Sequence, residues 1–278
     1  VGKLSGHHGD KSLTPNFDKL TSKGVLFRSH FNPGLQTTNT LLSQLYGVKP
    51  RYSHEPSVEE HASSFVGQSL TNILRLNDYR CEFISAVDMS WHNWAQFLNT
   101  TRFDQIHDGY SIPDILKSVG RKEHWMSHEY LTWGLFDEDA LFAVEARVEE
   151  LSKSDRPFFI DWYSVTSHDP YTLPEESPEN KMDGSLFSQN RLDAEYERAI
   201  LYSDRQLGDF MGRLTDKGLI KNLIVIITGD HGKLMGDLSF SAMTPENMID
   251  DPYSHIPLVI IPSDDLITAH DARGTTID

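Results

Sequence analysis

An acid and an imidazole stand next to each other directly after an apolar run. Residues 223–227 read Leu-Ile-Val-Ile-Ile, and Gly229-Asp230-His231-Gly232 follows them after one threonine. In open α/β sheets, ligands bind beyond the carboxyl ends of the strands. Asp and His both bind divalent cations well, and the flanking glycines let the backbone approach a ligand closely. The segment therefore indicates a metal site at a strand end, with an ordinary polar turn as the alternative.

The elements that would position this pair follow from hydrophobic patterning. Apolar stretches predict buried strands at residues 81–87, 158–165, 223–228 and 256–261. Helical patterns cover residues 16–22, 69–76, 137–151 and 192–214, where Asp137 could serve as an N-cap. Residues 171–190 are rich in Pro, Glu, Ser and Asn and predict a loop. The alternation predicts an α/β fold, with a mostly parallel sheet covered by helices on both faces.

Composition limits the classes of function. The chain has 278 residues, a size that suits one large domain. Its formal net charge of −16 argues against a nucleic-acid-binding surface, although a bound metal ion could still attract an anionic substrate. The single cysteine, Cys81, excludes an intrachain disulfide and a cysteine-cluster metal site. No apolar run is long enough to span a bilayer.

Two segments resemble the sulfatase and alkaline phosphatase superfamily. Residues 14–20 read Thr-Pro-Asn-Phe-Asp-Lys-Leu, which is similar to the family's T-P-N-x-D-x-L helix. The family's nucleophile opens a later helix, ten residues before a glycine, and counting back from Gly47 gives Thr37. True sulfatases carry Cys or Ser there in a C-x-P-S-R pattern. Because this chain has threonine at that position and no Pro-Ser-Arg after it, we do not expect formylglycine chemistry.

Further segments are similar to the lipoteichoic acid synthase and phosphoglycerol transferase branch of that superfamily. They are the Trp-Gly-Leu-Phe-Asp-Glu stretch at 133–138, the Thr-Ser-His-Asp-Pro-Tyr stretch at 166–171, the Trp-His-Asn stretch at 91–93, the Asp-His-Gly stretch at 230–232 and the His-Ile-Pro-Leu stretch at 255–258. The resemblance implies an alkaline phosphatase-like three-layer α/β/α sandwich over residues 1–278. The family also begins with an apolar strand that ends in an acidic metal ligand. We find no match to that strand, so we expect a domain truncated at both ends.

The resemblance also implies a chemistry for individual residues. Thr37 would be the nucleophile and would share one divalent ion with Asp230 and His231. Hard oxygen ligands with one imidazole favour Mn²⁺ or Mg²⁺, with Zn²⁺ and Ca²⁺ as alternatives. His168 would bind the phosphoryl group or act as an acid–base. The substrate would be contacted by Trp91, His92, Asn93 and His255.

Several functions remain open at this point. The leading prediction is a phosphoglycerol transferase-like enzyme that takes a glycerol-phosphate head group from a lipid through a threonine nucleophile. The alternatives are a sulfatase or phosphatase acting on small esters, and a non-catalytic relic that binds a glycan. The acceptor could be a glycerol-phosphate polymer, a glucan or water. From the resemblance we expect a location at the extracytoplasmic face of a membrane, with the anchor in an upstream segment.

Overall fold

The computed structural model describes residues 12–32, 36–50, 67–90, 93–126, 134–233 and 254–266. The α-helices are α1 (Pro15–Thr21), α2 (Thr37–Tyr46), α3 (Leu70–Leu76), α4 (Trp94–Thr101), α5 (Ile112–Ser118), α6 (Asp137–Leu151) and α7 (Arg191–Asp216). The strands are β1 (Val25–Phe27), β2 (Arg80–Ser85), β3 (Gln105–His107), β4 (Trp125–Met126), β5 (Gly134–Leu135), β6 (Phe158–Tyr163), β7 (Val225–Thr228) and β8 (Leu258–Ile261). Short 3₁₀ turns cover Pro178–Lys181, Gly184–Leu186 and Leu219–Asn222.

Two three-stranded sheets carry the fold. In the first, β2 pairs in parallel with β3 on one side and with β6 on the other. In the second, β8 lies between β1 and β7 and runs antiparallel to both. β4 and β5 form a separate antiparallel pair. All four predicted strands are present, and the predicted α/β class is confirmed.

Helices cover both faces of the parallel sheet. On one face, a core cluster joins Ile84 of β2 to apolar residues of α1, α5, α6, α7 and β8. On the other, Phe83 of β2 packs with Leu41, Leu42 and Leu45 of α2 and with residues of α4. Because Phe83 and Ile84 are neighbours that point in opposite directions, β2 is buried on both sides. This is the layered arrangement that the sequence predicts.

The edges of β6 and β7 border a wide cleft. Residues of β6 and of β7 line the same cleft, and neither strand pairs across it with another described strand. Burial differs accordingly: β2 is almost wholly buried, whereas Ile224 and Ile226 remain 58% and 60% exposed. The prediction that 223–228 is a buried strand is therefore only half right. Hydrophobicity identified the strand but could not tell which of its edges and faces would be covered.

The first helix is held by the long helix α7. Asp204 accepts hydrogen bonds from the backbone N–H groups of Asn16 and Phe17 at 2.9 and 2.7 Å and from the Asn16 amide at 3.0 Å. The carboxylate thus satisfies donors that a helix start leaves without intrahelical partners. Gly208 permits the contact, because a Cβ there would lie 2.4 Å from Asn16 Cγ. The Thr-Pro-Asn segment is therefore a docking point for α7.

Two helices differ from their predicted details. In α3, Leu70 and Ile73 are exposed, and Thr71 is the buried residue, because its hydroxyl bonds to the Thr101 carbonyl. In α6, Phe136 takes the N-cap position and Asp137 lies inside the helix. Among the described helices, even the 26-residue α7 is too polar to cross a bilayer.

Candidate active site

Three polar groups converge at the end of β7. The Thr37 hydroxyl donates a hydrogen bond of 2.6 Å to Asp230 Oδ2, and His231 Nε2 lies 3.3 Å from the same hydroxyl oxygen. His231 Nε2 is also 3.3 Å from Asp230 Oδ2. From the sequence we expect these residues to share one ion, which requires separations of roughly 6 Å or less at ligand distances of about 2.0–2.6 Å. The observed separations are well inside that limit.

Helix α2 fixes the threonine in this triangle. It begins at Thr37 and ends where Gly47 adopts the left-handed conformation with φ of +65°, so the predicted start and stop are confirmed. One turn after Thr37, Thr40 donates a 3.0 Å hydrogen bond to the backbone carbonyl of Asp230. The first N–H groups of a helix lack intrahelical acceptors and favour anions. Thr37 therefore lies where an anionic substrate group would be attracted.

The neighbouring threonine occupies a different environment. Thr38 is buried, and its hydroxyl oxygen forms no hydrogen bond with the described residues. Thr37, by contrast, is partly exposed and lies between an acid and an imidazole. A nucleophile needs a base or a metal ion beside it. The surroundings therefore favour Thr37 over Thr38.

The orientation of His231 suits a metal ligand. Its Nδ1 lies 2.9 Å from the Gly232 carbonyl, which can only accept, so Nδ1 carries the proton. In the neutral ring Nε2 then carries the lone pair, and this nitrogen faces Thr37 and Asp230. The described residues hold no group of three or more His, Cys, Asp or Glu side chains that could bind a metal. The Asp230 carboxylate, His231 Nε2 and the Thr37 hydroxyl form a partial ligand set, and these atom types fit a divalent ion.

His168 reaches the same cleft from the end of the neighbouring sheet. It follows β6 by five residues, lines the cleft with Asp230 and is exposed. Its Nδ1 lies 2.9 Å from the Asp169 carbonyl, which leaves Nε2 as the acceptor nitrogen of the neutral ring. Both strand-end motifs thus open into one cleft, as expected for strand ends at one edge of an α/β fold.

A buried carboxylate holds the segment that leads to His168. Asp137 is fully buried, and its Oδ1 accepts hydrogen bonds from the N–H groups of Val165 at 2.8 Å and Thr166 at 3.3 Å. The Asp137 N–H donates in return to the Thr166 hydroxyl oxygen at 2.9 Å, and the Ser203 hydroxyl donates to Asp137 Oδ2. The residue that the sequence marks as a helix cap is therefore the anchor of the His168 turn.

The remaining predicted residues are placed less centrally. Trp91 and His92 lie outside the described residues. Asn93 adopts a left-handed conformation at the start of α4 and is not among the described residues that line the cleft, whereas Trp94 is. His255 lines the cleft, stacks on Phe31 with ring centroids 5.0 Å apart and lies 2.7 Å from the Arg28 carbonyl through Nε2. That bond directs Nε2 of His255 to the backbone.

The roles of four residues at the site are not predicted from the sequence. Thr40 and Asp137 hold its backbone, and Lys233 places an ammonium group beside it. Thr40 was the easiest to find, because it lies one helical turn after Thr37. Asp161 of β6 also lines the cleft, and burial raises its pKa to about 7. This cleft wall therefore carries less negative charge near neutral pH than the sequence suggests.

Comparisons with known proteins identify relatives of this chain. Phosphoglycerol transferase I of Xanthomonas axonopodis pv. citri (strain 306) is 27% identical over 171 residues, which are 61% of this chain and 22% of that protein. The lipoteichoic acid synthase-like protein YvgJ of Bacillus subtilis (strain 168) is 24% identical over 223 residues, which are 80% of this chain and 33% of that protein. The chain therefore spans between a fifth and a third of the length of these relatives.

A solved structure supports the same fold. The lipoteichoic acid synthase LtaP from Listeria monocytogenes superimposes with a TM-score of 0.71 at 21% identity, covering 91% of this chain and 60% of that one. The family model described as Sulfatase matches residues 3–278, nearly the whole chain. The fold is thus that of the alkaline phosphatase superfamily. This chain belongs to the sulfatase family, whose members are enzymes of phosphoryl and sulfuryl transfer.

Proposed function

We propose that this chain catalyses phosphoryl-group transfer through Thr37, as a phosphoglycerol transferase-like member of its family. One observation carries the proposal: the Thr37 hydroxyl lies 2.6 Å from a carboxylate oxygen and 3.3 Å from an imidazole nitrogen, at the start of a helix. A threonine hydroxyl is a poor nucleophile by itself and needs such neighbours. The names of the relatives support glycerol phosphate as the transferred group.

The first step would form a phosphate ester on the protein. The Thr37 hydroxyl passes its proton to Asp230, the oxygen attacks phosphorus, and the bond from phosphorus to the lipid oxygen breaks. His168 in its protonated form gives a proton to the departing lipid alcohol. The backbone N–H groups at the start of α2 face the charge that grows on the phosphoryl oxygens. Each group acts from the position in which the fold holds it.

The second step would release the phosphoryl group to an alcohol or to water. His168 Nε2, now neutral, takes the proton of the incoming hydroxyl, whose oxygen attacks phosphorus. The bond from phosphorus to Thr37 Oγ breaks, and Asp230 returns the proton to the threonine. The exposure of His168 suits this role, because successive alcohols must reach the same nitrogen.

Thr37, Asp230 and His231 are the residues that would hold a divalent ion, with Mn²⁺ or Mg²⁺ favoured by the oxygen ligands. Such an ion lowers the pKa of a bound hydroxyl and neutralises charge on phosphoryl oxygens. The acidic ligand that the family supplies from an earlier strand would complete the set. We propose an extracytoplasmic location for the domain, on the strength of its likeness to phosphoglycerol transferase I and to lipoteichoic acid synthases.

Trapping the covalent intermediate tests the proposal. We expect protein incubated with Mn²⁺ and phosphatidylglycerol, then quenched in acid, to carry a glycerol-phosphate ester on Thr37 in peptide mass spectra. Thr37→Val should remove both the label and turnover while costing at most about 2 kcal/mol of stability. Thr38→Val is the matched control, because its buried hydroxyl has no hydrogen-bond partner among the described residues.

Two results would contradict the proposal. A label on Thr38, or turnover that survives in Thr37→Val, would mean that another residue is the nucleophile. Hydrolysis of an aryl sulfate without any ester on Thr37 would instead favour the sulfatase alternative. That alternative has the family's description in its support, but the chain lacks the C-x-P-S-R pattern that sulfatases use.

A further inference from the structure

Lys233 lines the cleft, and its ammonium group contacts several residues around it. Its ammonium donates a 3.1 Å hydrogen bond to Asp193 Oδ1 and lies 3.5 Å from the Leu192 carbonyl. The same nitrogen lies 5.1 Å from the ring centroid of Tyr171 and 5.0 Å from that of Tyr196. The side chain is only 21% exposed and that of Asp193 only 8%. A cation at this depth needs such compensation for its lost hydration.

Most partners of the ammonium belong to the amino end of α7. Asp193 lies in the first turn of α7, where the Asn190 side chain accepts hydrogen bonds from the N–H groups of Leu192 and Asp193. Tyr196 stands one turn further along the same helix, and the two tyrosine rings pack edge to face with centroids 5.5 Å apart. Lys233 therefore ties the segment that follows β7 to the amino end of α7.

The Tyr171 contact extends this connection to His168. The backbone N–H of Tyr171 donates a 2.9 Å hydrogen bond to the His168 carbonyl, so the two residues belong to one tight turn. Lys233 itself follows His231 by two residues. One ammonium group thus contacts a ring from the His168 turn while its own backbone continues the Asp230-His231 segment.

We propose that Lys233 is a positioning residue, which sets the His168 turn at a fixed place relative to Asp230 and His231. The inference rests on the proposed function for its kinetic consequences, but the contact itself can be tested without turnover. Lys233 acts through His168 in this proposal and does not touch the substrate. A misplacement of about 1 Å in an acid–base group can lower a rate roughly 100-fold, so such a contact would be felt in turnover.

Kinetics of matched variants separate this role from direct substrate binding. We expect Lys233→Met to lower kcat roughly 10- to 100-fold on phosphatidylglycerol while KM stays within about threefold of wild type. Lys233→Arg, which keeps a cation for Asp193 and the rings, should recover most of kcat. In the double variant with His168→Gln, Lys233→Met should cause no further loss, because both act through one group. Lys221→Met is the control, an exposed lysine before the opposite end of β7.

A second measurement does not depend on activity. Diethyl pyrocarbonate modifies imidazoles, and peptide mass spectra give the rate at His168 relative to the exposed reference His124. We expect Lys233→Met to change this ratio and Lys233→Arg and Lys221→Met to leave it at the wild-type value. An unchanged ratio in Lys233→Met, or a raised KM with unaltered kcat, would overturn the proposal. A protein without turnover on any donor would count against the proposed function, while the modification ratio would still decide the role of Lys233.

Discussion

Two fully buried carboxylates lie at opposite ends of the parallel sheet and are stabilised in different ways. Glu82, near the start of β2, receives hydrogen bonds from Arg80 at 2.9 Å and from Arg147 at 2.8 Å to each of its oxygens, with His107 3.6 Å away. Asp137, at the end that carries the site, receives its bonds from backbone N–H groups and a serine hydroxyl. The first is surrounded by cations and the second by neutral donors.

The two environments indicate different roles: that of Glu82 serves stability, and that of Asp137 serves the proposed site. Burial alone would raise the pKa of Glu82, but the nearby His107 and the hydrogen bonds from Arg147 and Arg80 hold that pKa well below its ordinary range. Burial raises the pKa of Asp137, and the bonds from Val165 and Thr166 offset only part of that effect. The cation-rich end therefore holds an ion pair that locks strands and helix together. The site end holds a backbone anchor, and His168 and Lys233 line the cleft beside it.

The largest effect should come from the site end, at Asp230. Asp230→Asn keeps the shape of the side chain but removes the proton acceptor of Thr37 and the carboxylate that Asp230 would offer to a metal ion. We expect kcat to fall on the order of 10³- to 10⁴-fold, as when an acid–base group is removed. Mn²⁺ binding, measured by calorimetry, should weaken together with it.

The control for this prediction lies on the same helix that contacts the cleft. Asp209→Asn removes an exposed carboxylate of α7, 3.9 Å from Arg205, and should leave turnover and Mn²⁺ binding unchanged. Unaltered turnover in Asp230→Asn would show that the triangle of Thr37, Asp230 and His231 is a structural contact. It would also mean that the site end of the sheet does not differ from the Glu82 end by serving catalysis.

The next effect should come from the opposite end and should appear in stability. Glu82→Gln removes the buried carboxylate partner of Arg147, which keeps its ion pair with the exposed Glu150. Breaking a buried ion pair costs about 3–5 kcal/mol. Urea unfolding should show this loss while kcat per folded molecule stays at the wild-type value. Glu149→Gln is the control, since solvent screens its exposed pair with Lys217 and its loss should change stability little. A large loss of kcat in folded Glu82→Gln would contradict the division of roles.

The sequence predicted the centre of the site better than its supports. An apolar run followed by Asp230 and His231 marks a strand end, and Gly47 marks the helix end from which Thr37 was counted. Those signals are local. The roles of Asp137 and Lys233 depend on contacts with residues about 30 and 40 positions away, and an aspartate before a helical pattern looks like a cap.

The predicted strands show the same limit, because local sequence signals locate a strand but not the contacts it makes. Hydrophobic runs located β2, β6, β7 and β8 within two residues of their observed ends, because burial of a strand needs apolar side chains. The run at 223–228 gave no sign that Ile226 would be 60% exposed. Pairing of strand edges is a tertiary property, so the pattern that identifies a strand does not identify its neighbours.

The smallest effect should appear in the pH dependence of stability, where the two carboxylates have opposite signs. Because the pKa of Glu82 is lowered by folding, its stabilising contribution is present above about pH 4.3 and is lost as the pH falls. Because the pKa of Asp137 is raised by folding, its contribution is full below about pH 3.9 and is lost as the pH rises. Asn at 137 can still accept the Val165 bond and is never charged. Measured by urea unfolding between pH 4 and 8, Asp137→Asn should therefore gain stability relative to wild type as the pH rises, whereas Glu82→Gln should lose it. Parallel curves for Asp137→Asn and wild type would mean that the anchor beneath His168 titrates as it does in the unfolded chain, and the contrast between the two ends would fail.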